Sequence, residues 1–329
     1  MANTGKYWGL VPDPATVVLM NGPMYHSAPA SYGMVSARLG LHIVLQPRFE
    51  AEDMLRLIEK HRVSHMHIVP TMFVRLLRLP DDVKRRYDLS SLRWITHGAA
   101  PCAPAVKRQM IDWWGPVITE YYGATETAVV VWHDSAEALK KAGTVGRLVA
   151  GATMRIVDEQ GRDVKQGEVG EIYLRGPLNV SDFTYHKDDA KRREIALGDL
   201  VTMGDMGYQD EDGYLYLCDR KRDMIISGGV NIYPAEIESV LIQMPGVRDC
   251  AVFGIPDEEF GEQICAHVEP LPGTTVDAGA VRAWLAQHLA RYKIPKVVEL
   301  SASLPREDSG KIFKRKLRAP YWEKAGRSI

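Results

Sequence analysis

Asp219-Arg220-Lys221-Arg222-Asp223-Met224-Ile225-Ile226-Ser227-Gly228-Gly229 reads as a jointed linker that ends in a Gly-Gly turn. A new unit begins after Asp223, and the pattern differs on its two sides. Downstream, residues 234–244 are expected as a helix with proline in its first turn, where a missing N–H does no harm. Residues 249–255 and 263–268 read as strands, 276–292 as one long amphipathic helix and 296–300 as a last strand. Upstream, across residues 143–218, short strands such as 154–157 and 171–175 are separated by turns at 158–161 and 210–213. That spacing predicts a small antiparallel β subdomain.

Residues 24–130 alternate short apolar runs with amphipathic stretches. Residues 49–63 place Met54, Leu55, Leu57 and Ile58 at helical spacing, then yield to His65-Met66-His67-Ile68-Val69-Pro70, a strand stopped by proline. A short helix over 71–79, a strand over 92–96, a helix over 103–114 and a strand over 117–122 follow. Such alternation implies a mostly parallel α/β sheet with ligand sites at the strand ends. The domain boundary is expected near Arg222, giving residues 1–221 and 222–329.

The composition is that of an ordinary globular protein: 329 residues, 46% hydrophobic and 25% charged. A net charge of −1 argues against a general electrostatic grip on nucleic acid. Cys102, Cys218, Cys250 and Cys265 form no Cys-x-x-Cys pair, so neither a disulfide framework nor a zinc site is indicated, and a reducing cytoplasm fits. The first residues offer no apolar core for a signal peptide, and no apolar run is long enough to span a bilayer. His65 and His67 share a strand face at a spacing some metal sites use. No acidic cluster accompanies them, and histidines satisfied within a strand are the better reading.

Four further runs carry chemistry. Tyr122-Gly123-Ala124-Thr125-Glu126 ends a strand in a glycine that permits close backbone approach, a hydroxyl suited to a phosphate oxygen and a carboxylate suited to Mg²⁺. His97-Gly98-Ala99-Ala100-Pro101 is a small-residue turn with room for a flat ring against the backbone. Met203-Gly204-Asp205 ends in an acceptor-only carboxylate. Pro305-Arg306-Glu307-Asp308-Ser309-Gly310-Lys311 sets one lysine directly after a turn glycine.

In this order the runs resemble the adenylate-forming acyl-CoA synthetases, or AMP-binding enzymes, over nearly the whole chain. The resemblance implies an α/β fold. A large N-terminal domain, present only in part, combines an α/β sheet with a small β subdomain; a small mobile α+β C-terminal domain follows. It implies ATP-dependent conversion of a carboxylic acid to an acyl-adenylate, then to a thioester of coenzyme A. Lys311 is then the adenylation lysine, Thr125 a phosphate contact and Glu126 the Mg²⁺ ligand. Gly98, Ala99 and Ala100 border adenine and the acyl pocket, Tyr122 and Gly123 belong to the cofactor site, and Asp205 and Arg220 hold the ribose. Arg222 takes the hinge position, where the family more often has aspartate or lysine; methionine replaces the usual threonine before Gly204. Ser227, Gly228 and Gly229 line the pantetheine path, and His26, in Pro23-Met24-Tyr25-His26, gates the acyl pocket or stands as a structural histidine. Lys314, Arg315, Lys316 and Arg318 are expected as a solvated basic face, with contact to the phosphates of coenzyme A as the alternative. The run 224–238 is most similar to fatty-acid and bile-acid-type ligases.

The family's Ser/Thr/Gly-rich phosphate loop has no counterpart in the sequence, of which Thr4-Gly5-Lys6 is the only faint echo. The expectation is a family member without its first subdomain, weak or inactive in full ligation, with apolar surface open to self-association or to a missing N-terminal segment. The alternative is a non-catalytic remnant, or one half of a split ligase, that holds AMP, acyl-adenylate or a partner subunit.

Overall fold

The computed structural model describes residues 6–177, 182–306 and 312–325. They fall into two compact units, Met1–Met203 with Gly207–Leu217, and Gly204–Met206 with Cys218–Ile329. The chain passes between units inside a β-hairpin, so Asp205 and residues 218–221 group with the second unit.

The first unit is built on strands β1 (Val17–Met20), β2 (His42–Leu45), β3 (His65–Ile68), β4 (Trp94–His97), β5 (Ile118–Ala124), β6 (Ala128–His133) and β7 (Arg147–Leu148). Helices α1 (Ser27–Arg38), α2 (Ala51–His61), α3 (Pro70–Leu77), α4 (Asp81–Lys84), α5 (Pro104–Trp114) and α6 (Ser135–Lys140) connect them. The strands lie in the order β2-β1-β3-β4-β5-β6-β7, parallel as far as β5 and antiparallel at β6 and β7. Local chemistry sets the helix ends. The Glu50 carboxylate accepts from the N–H groups of Glu52 and Asp53 and caps α2; Arg62, at φ 55°, stops it. Proline opens α3 and α5.

Alternation along the strands makes two cores. Leu19, Met66, Ile95 and Ile118 pack with Met54, Leu55 and Ile58 of α2, Phe73 of α3 and Met110 of α5. Val18 and Met20 point the other way, onto Trp8 and Tyr32. Each such fully buried side chain contributes about 1.5–3 kcal/mol. The β subdomain follows: β8 (Thr153–Val157), β9 (Gly170–Arg175), α7 (Asp189–Glu194), β10 (Ala196–Leu197), β11 (Leu200–Gln209) and β12 (Leu215–Arg220). Its order is β10-β11-β9-β8, with β12 on β11.

The second unit holds β13 (Ile225–Ser227), β14 (Val230–Ile232), α8 (Pro234–Leu241), β15 (Val247–Asp257), β16 (Gly261–Pro270), α9 (Ala278–Ala286), β17 (Val297–Leu300) and α10 (Lys314–Lys324). The order is β14-β13-β16-β15, and β17 runs parallel to β16. One face, with Val252, Ile264 and Ala266, packs on Ile237 and Leu241 of α8 and Val281 and Leu285 of α9. The other, with Ala251, Phe253 and Cys265, is covered by Leu317 and Tyr321 of α10.

The long helix expected over 276–292 is corrected: α9 ends at Ala286. The N–H of His288 bonds back only three residues, to Leu285, and its ring takes the Trp284 carbonyl at 2.8 Å. Ala290 is then extended, and Arg291–Lys293 forms a separate 3₁₀ turn from which Lys293 reaches Glu236.

Candidate functional site

In the first unit the candidate residues gather where β4 and β5 end side by side. Gly98 leaves β4 against Tyr121 of β5; a Cβ there would lie 2.8 Å from the Tyr121 ring. Ala99 follows at φ 66°, a left-handed conformation unusual for alanine. At the end of β5 the pairing with β6 slips between Tyr122 and Gly123, and a Cβ on Gly123 would lie 1.8 Å from the Ala128 carbonyl oxygen. The turn closes when the Ala124 N–H donates to Thr127 Oγ1 at 3.1 Å.

That geometry leaves Thr125 exposed, with its hydroxyl sharing a 2.8 Å hydrogen bond with Ser27 in the first turn of α1. The preceding residue, His26, is exposed at the N-cap of α1 with its ring 4.6 Å from that of Tyr25. The start of α1 and the 123–127 turn thus meet. Glu126 is half-buried and accepts a hydrogen bond at Oε1 from the Tyr185 phenol at 2.9 Å. Burial and the neighbouring carboxylate push that phenol up to about 12. Among the described residues no cationic side chain pairs with Glu126, so a hard, uncancelled oxygen donor stands beside a phosphate-suited hydroxyl. The sequence had marked His26, Thr125 and Glu126 but neither Ser27 nor Tyr185. Ser27 was within reach, one position after His26; Tyr185 lies in a polar stretch that carries no pattern.

The second unit brings together a different set. Arg220 Nε stands 3.5 Å from Asp205 Oδ1, so the two ribose candidates are neighbours, and the Lys221 N–H donates to the Gly204 carbonyl at 2.7 Å. Ser227-Gly228-Gly229 is the tip of the β13–β14 hairpin. Ser227 pairs with Val230, and both glycines take positive φ, 56° and 80°, as a two-residue hairpin turn of that hand requires. Phe260 lies against Gly228, while nothing lies within 4 Å of a Cβ on Gly229. The Arg222 side chain is exposed, and its carbonyl accepts from Arg318 at 3.4 Å. Lys311 lies outside the described residues; on either side, Arg306 and Ile312 form a β-bridge, and Arg306 pairs with Asp249 at 2.7 Å.

The solvated basic face expected at the C-terminal end holds only for Arg315 and Lys316, which are exposed. Lys314 is partly buried and pairs with Glu238 at 2.7 Å. Burial opposes its charge, but Glu238 and Asp219 outweigh it and hold the ammonium above the ordinary lysine range. Arg318 covers the Trp322 ring at 5.1 Å and stands 3.8 Å from Glu262. One face of α10 is therefore spent on packing.

A buried polar cluster behind the β4 and β5 ends was not foreseen. Glu120 accepts from Lys107 of α5 and is bonded to His133 Nε2 at 2.8 Å, with His97 Nε2 at 3.9 Å. Burial drives the Glu120 carboxyl up, but Lys107 and the two histidines outweigh it and hold it well below its usual range. His65 bonds Ser64, just before β3, at 2.7 Å and His67 bonds Tyr121 of β5 at 3.0 Å, so both have hydrogen-bond partners inside the first unit.

The family model described as AMP-binding enzyme matches residues 1–182, and that described as AMP-binding enzyme C-terminal domain matches residues 236–311. The chain belongs to the AMP-binding enzyme family. It is 39% identical over 303 residues to an indoleacetate–CoA ligase of Aromatoleum aromaticum, covering 92% of this chain and 58% of that one. It is 36% identical to a medium/long-chain-fatty-acid–CoA ligase of Mycobacterium tuberculosis, covering 94% of this chain and 55% of that one. Among solved structures, the o-succinylbenzoate CoA synthetase of Bacillus subtilis in complex with its acyl-adenylate matches with a TM-score of 0.83 at 30% identity, over 96% of this chain and 63% of that one. The chain thus spans little more than half the length of these curated AMP-binding relatives.

Proposed function

We propose that this AMP-binding enzyme is an acid–thiol ligase that works with ATP, Mg²⁺ and coenzyme A. The observation that carries the reading is the meeting of the α1 start with the 123–127 turn. It sets the exposed Thr125 hydroxyl beside an uncancelled Glu126 carboxylate at the end of a parallel strand. The neighbouring Asp205 and Arg220 support a ribose site in the second unit.

In the first half-reaction a carboxylate oxygen attacks the α-phosphorus, the bond to the bridging oxygen breaks and pyrophosphate leaves. Thr125 binds a phosphate oxygen, Asp205 and Arg220 orient the ribose, and Lys311 steadies charge as it develops between carboxylate and phosphate. Glu126 would hold a magnesium ion, which neutralises phosphate charge when bound. In the second half-reaction Ser227-Gly228-Gly229 lines the approach of the thiol, whose sulfur displaces AMP from the acyl carbon; Arg222 is the hinge between the two arrangements. His26 borders the acyl end.

For substrate we propose an acid with an apolar body, of the fatty-acid or steroid type. The relatives' names, an indole acid and a medium/long-chain fatty acid, share an apolar body rather than one skeleton. A cytoplasmic setting is part of the proposal, supported by four free cysteines.

The test is a panel of fatty, aryl and steroid acids with ATP, Mg²⁺ and coenzyme A, read as AMP and acyl-CoA release. Lys311→Ala should lower adenylate formation about 10²–10³-fold, the usual loss of a charge-stabilising donor. Thioester formation from preformed adenylate should stay within a few-fold. Equal adenylate formation in the variant would refute the assignment.

A further inference from the structure

Glu126 owes its orientation to a residue that no motif contains. The Tyr185 phenol donates to Oε1 at 2.9 Å, while Oε2 has no partner among the described residues. Tyr185 is itself braced. Lys191 lies 5.0 Å over its ring, and the Phe183 ring meets it edge-on at 5.5 Å. Arg192 lies 4.8 Å over Phe183 and donates from Nε to the Phe183 carbonyl at 3.2 Å. Asp188 caps α7 through the Lys191 N–H at 3.1 Å, which fixes both cations relative to the two rings. This bracing needs no core, for α7 buries no residue.

The type of donor matters. A lysine or arginine at 2.9 Å would fix the carboxylate but also cancel its charge. A phenol fixes one oxygen and leaves the charge for the other. That is the outer-sphere arrangement that orients carboxylate ligands of metal ions. We propose that Tyr185 is a positioning residue that aims Glu126 Oε2 at a divalent cation. The inference rests on the reading of Glu126 as the metal ligand.

The test is calorimetric titration of the full chain with Mn²⁺·ATP and, separately, with metal-free ATP, in the native sequence, Tyr185→Phe and Glu126→Gln. Tyr185→Phe keeps the ring and its cation contacts and deletes only the donor. It should weaken Mn²⁺·ATP about tenfold or more, the usual effect of losing a residue behind a metal ligand. Metal-free ATP affinity and melting temperature should not change. Native Mn²⁺·ATP affinity in Tyr185→Phe, with a loss in Glu126→Gln, overturns the inference and leaves the metal ligand standing. Native affinity in Glu126→Gln overturns both. Equal losses with and without metal in Tyr185→Phe would make Tyr185 a tether of the turn and also overturn the inference.

Discussion

At Gly123 a single hydrogen separates this fold from a clash. A Cβ would lie 1.8 Å from the Ala128 carbonyl oxygen, and its nearest neighbours are all backbone of Ala128 and Val129, which leaves nothing flexible to yield. Gly123→Ala should therefore leave little folded first unit, measured as lost cooperative unfolding; a native melting curve would contradict this. Gly229 contrasts with it. Nothing surrounds its Cβ position, but its φ is 80°, so Gly229→Ala should cost only about 1–2 kcal/mol in the second unit. Sequence reading placed both glycines at a ligand-facing turn. It did not show that the close approach at Gly123 is to Ala128, or that the ring against Gly98 is Tyr121, because such neighbours come from strand register rather than from local pattern. Lys107 was illegible for the same reason. A lysine at 5% exposure looks like any helix lysine until Glu120 is brought beneath it. Lys107→Met strands a buried carboxylate and should destabilise the first unit by about 3–5 kcal/mol; Lys107→Met with Glu120→Leu should recover much of that. Denaturant midpoints of the single and double variants decide between them.

Strands β3 and β4 set the pH response. Burial lowers His65 and His67 from 6.5 to about 4 and His97 to about 3, so all three are neutral in the fold and protonate when it opens. The unfolded chain then binds more protons below pH 6.5. Stability should fall from there towards pH 4, by about 1.4 kcal/mol per pH unit for each histidine. Glu120, whose carboxyl is depressed, adds to the loss below the ordinary carboxylate range. Melting temperatures of the first unit between pH 7.5 and 5 measure this; a flat profile would refute it. Most elements were legible because their cores follow clean periods, as in α2 with Met54, Leu55 and Ile58 buried. The end of α9 was not, because His288, two residues past it, turns its ring back onto the Trp284 carbonyl of the last turn.

Over the whole chain, the family-bearing residues divide between two units. The His26, Gly98–Ala100 and 122–126 segments belong to the first; Asp205, Arg220, Arg222 and Ser227–Gly229 belong to the second. Chain order alone put Asp205 with the first, since the grouping of residues 204–206 with 218–221 depends on a hairpin closing. The proposed chemistry places the thiol approach at the β13–β14 tip, where Gly229 has open space around it. The most direct measurement supplies the purified chain with a preformed acyl-adenylate and coenzyme A and follows acyl-CoA and AMP. The account predicts stoichiometric release of both above the uncatalysed rate, with a large loss in Gly229→Trp. A folded chain that binds the adenylate yet forms no thioester above background would contradict it.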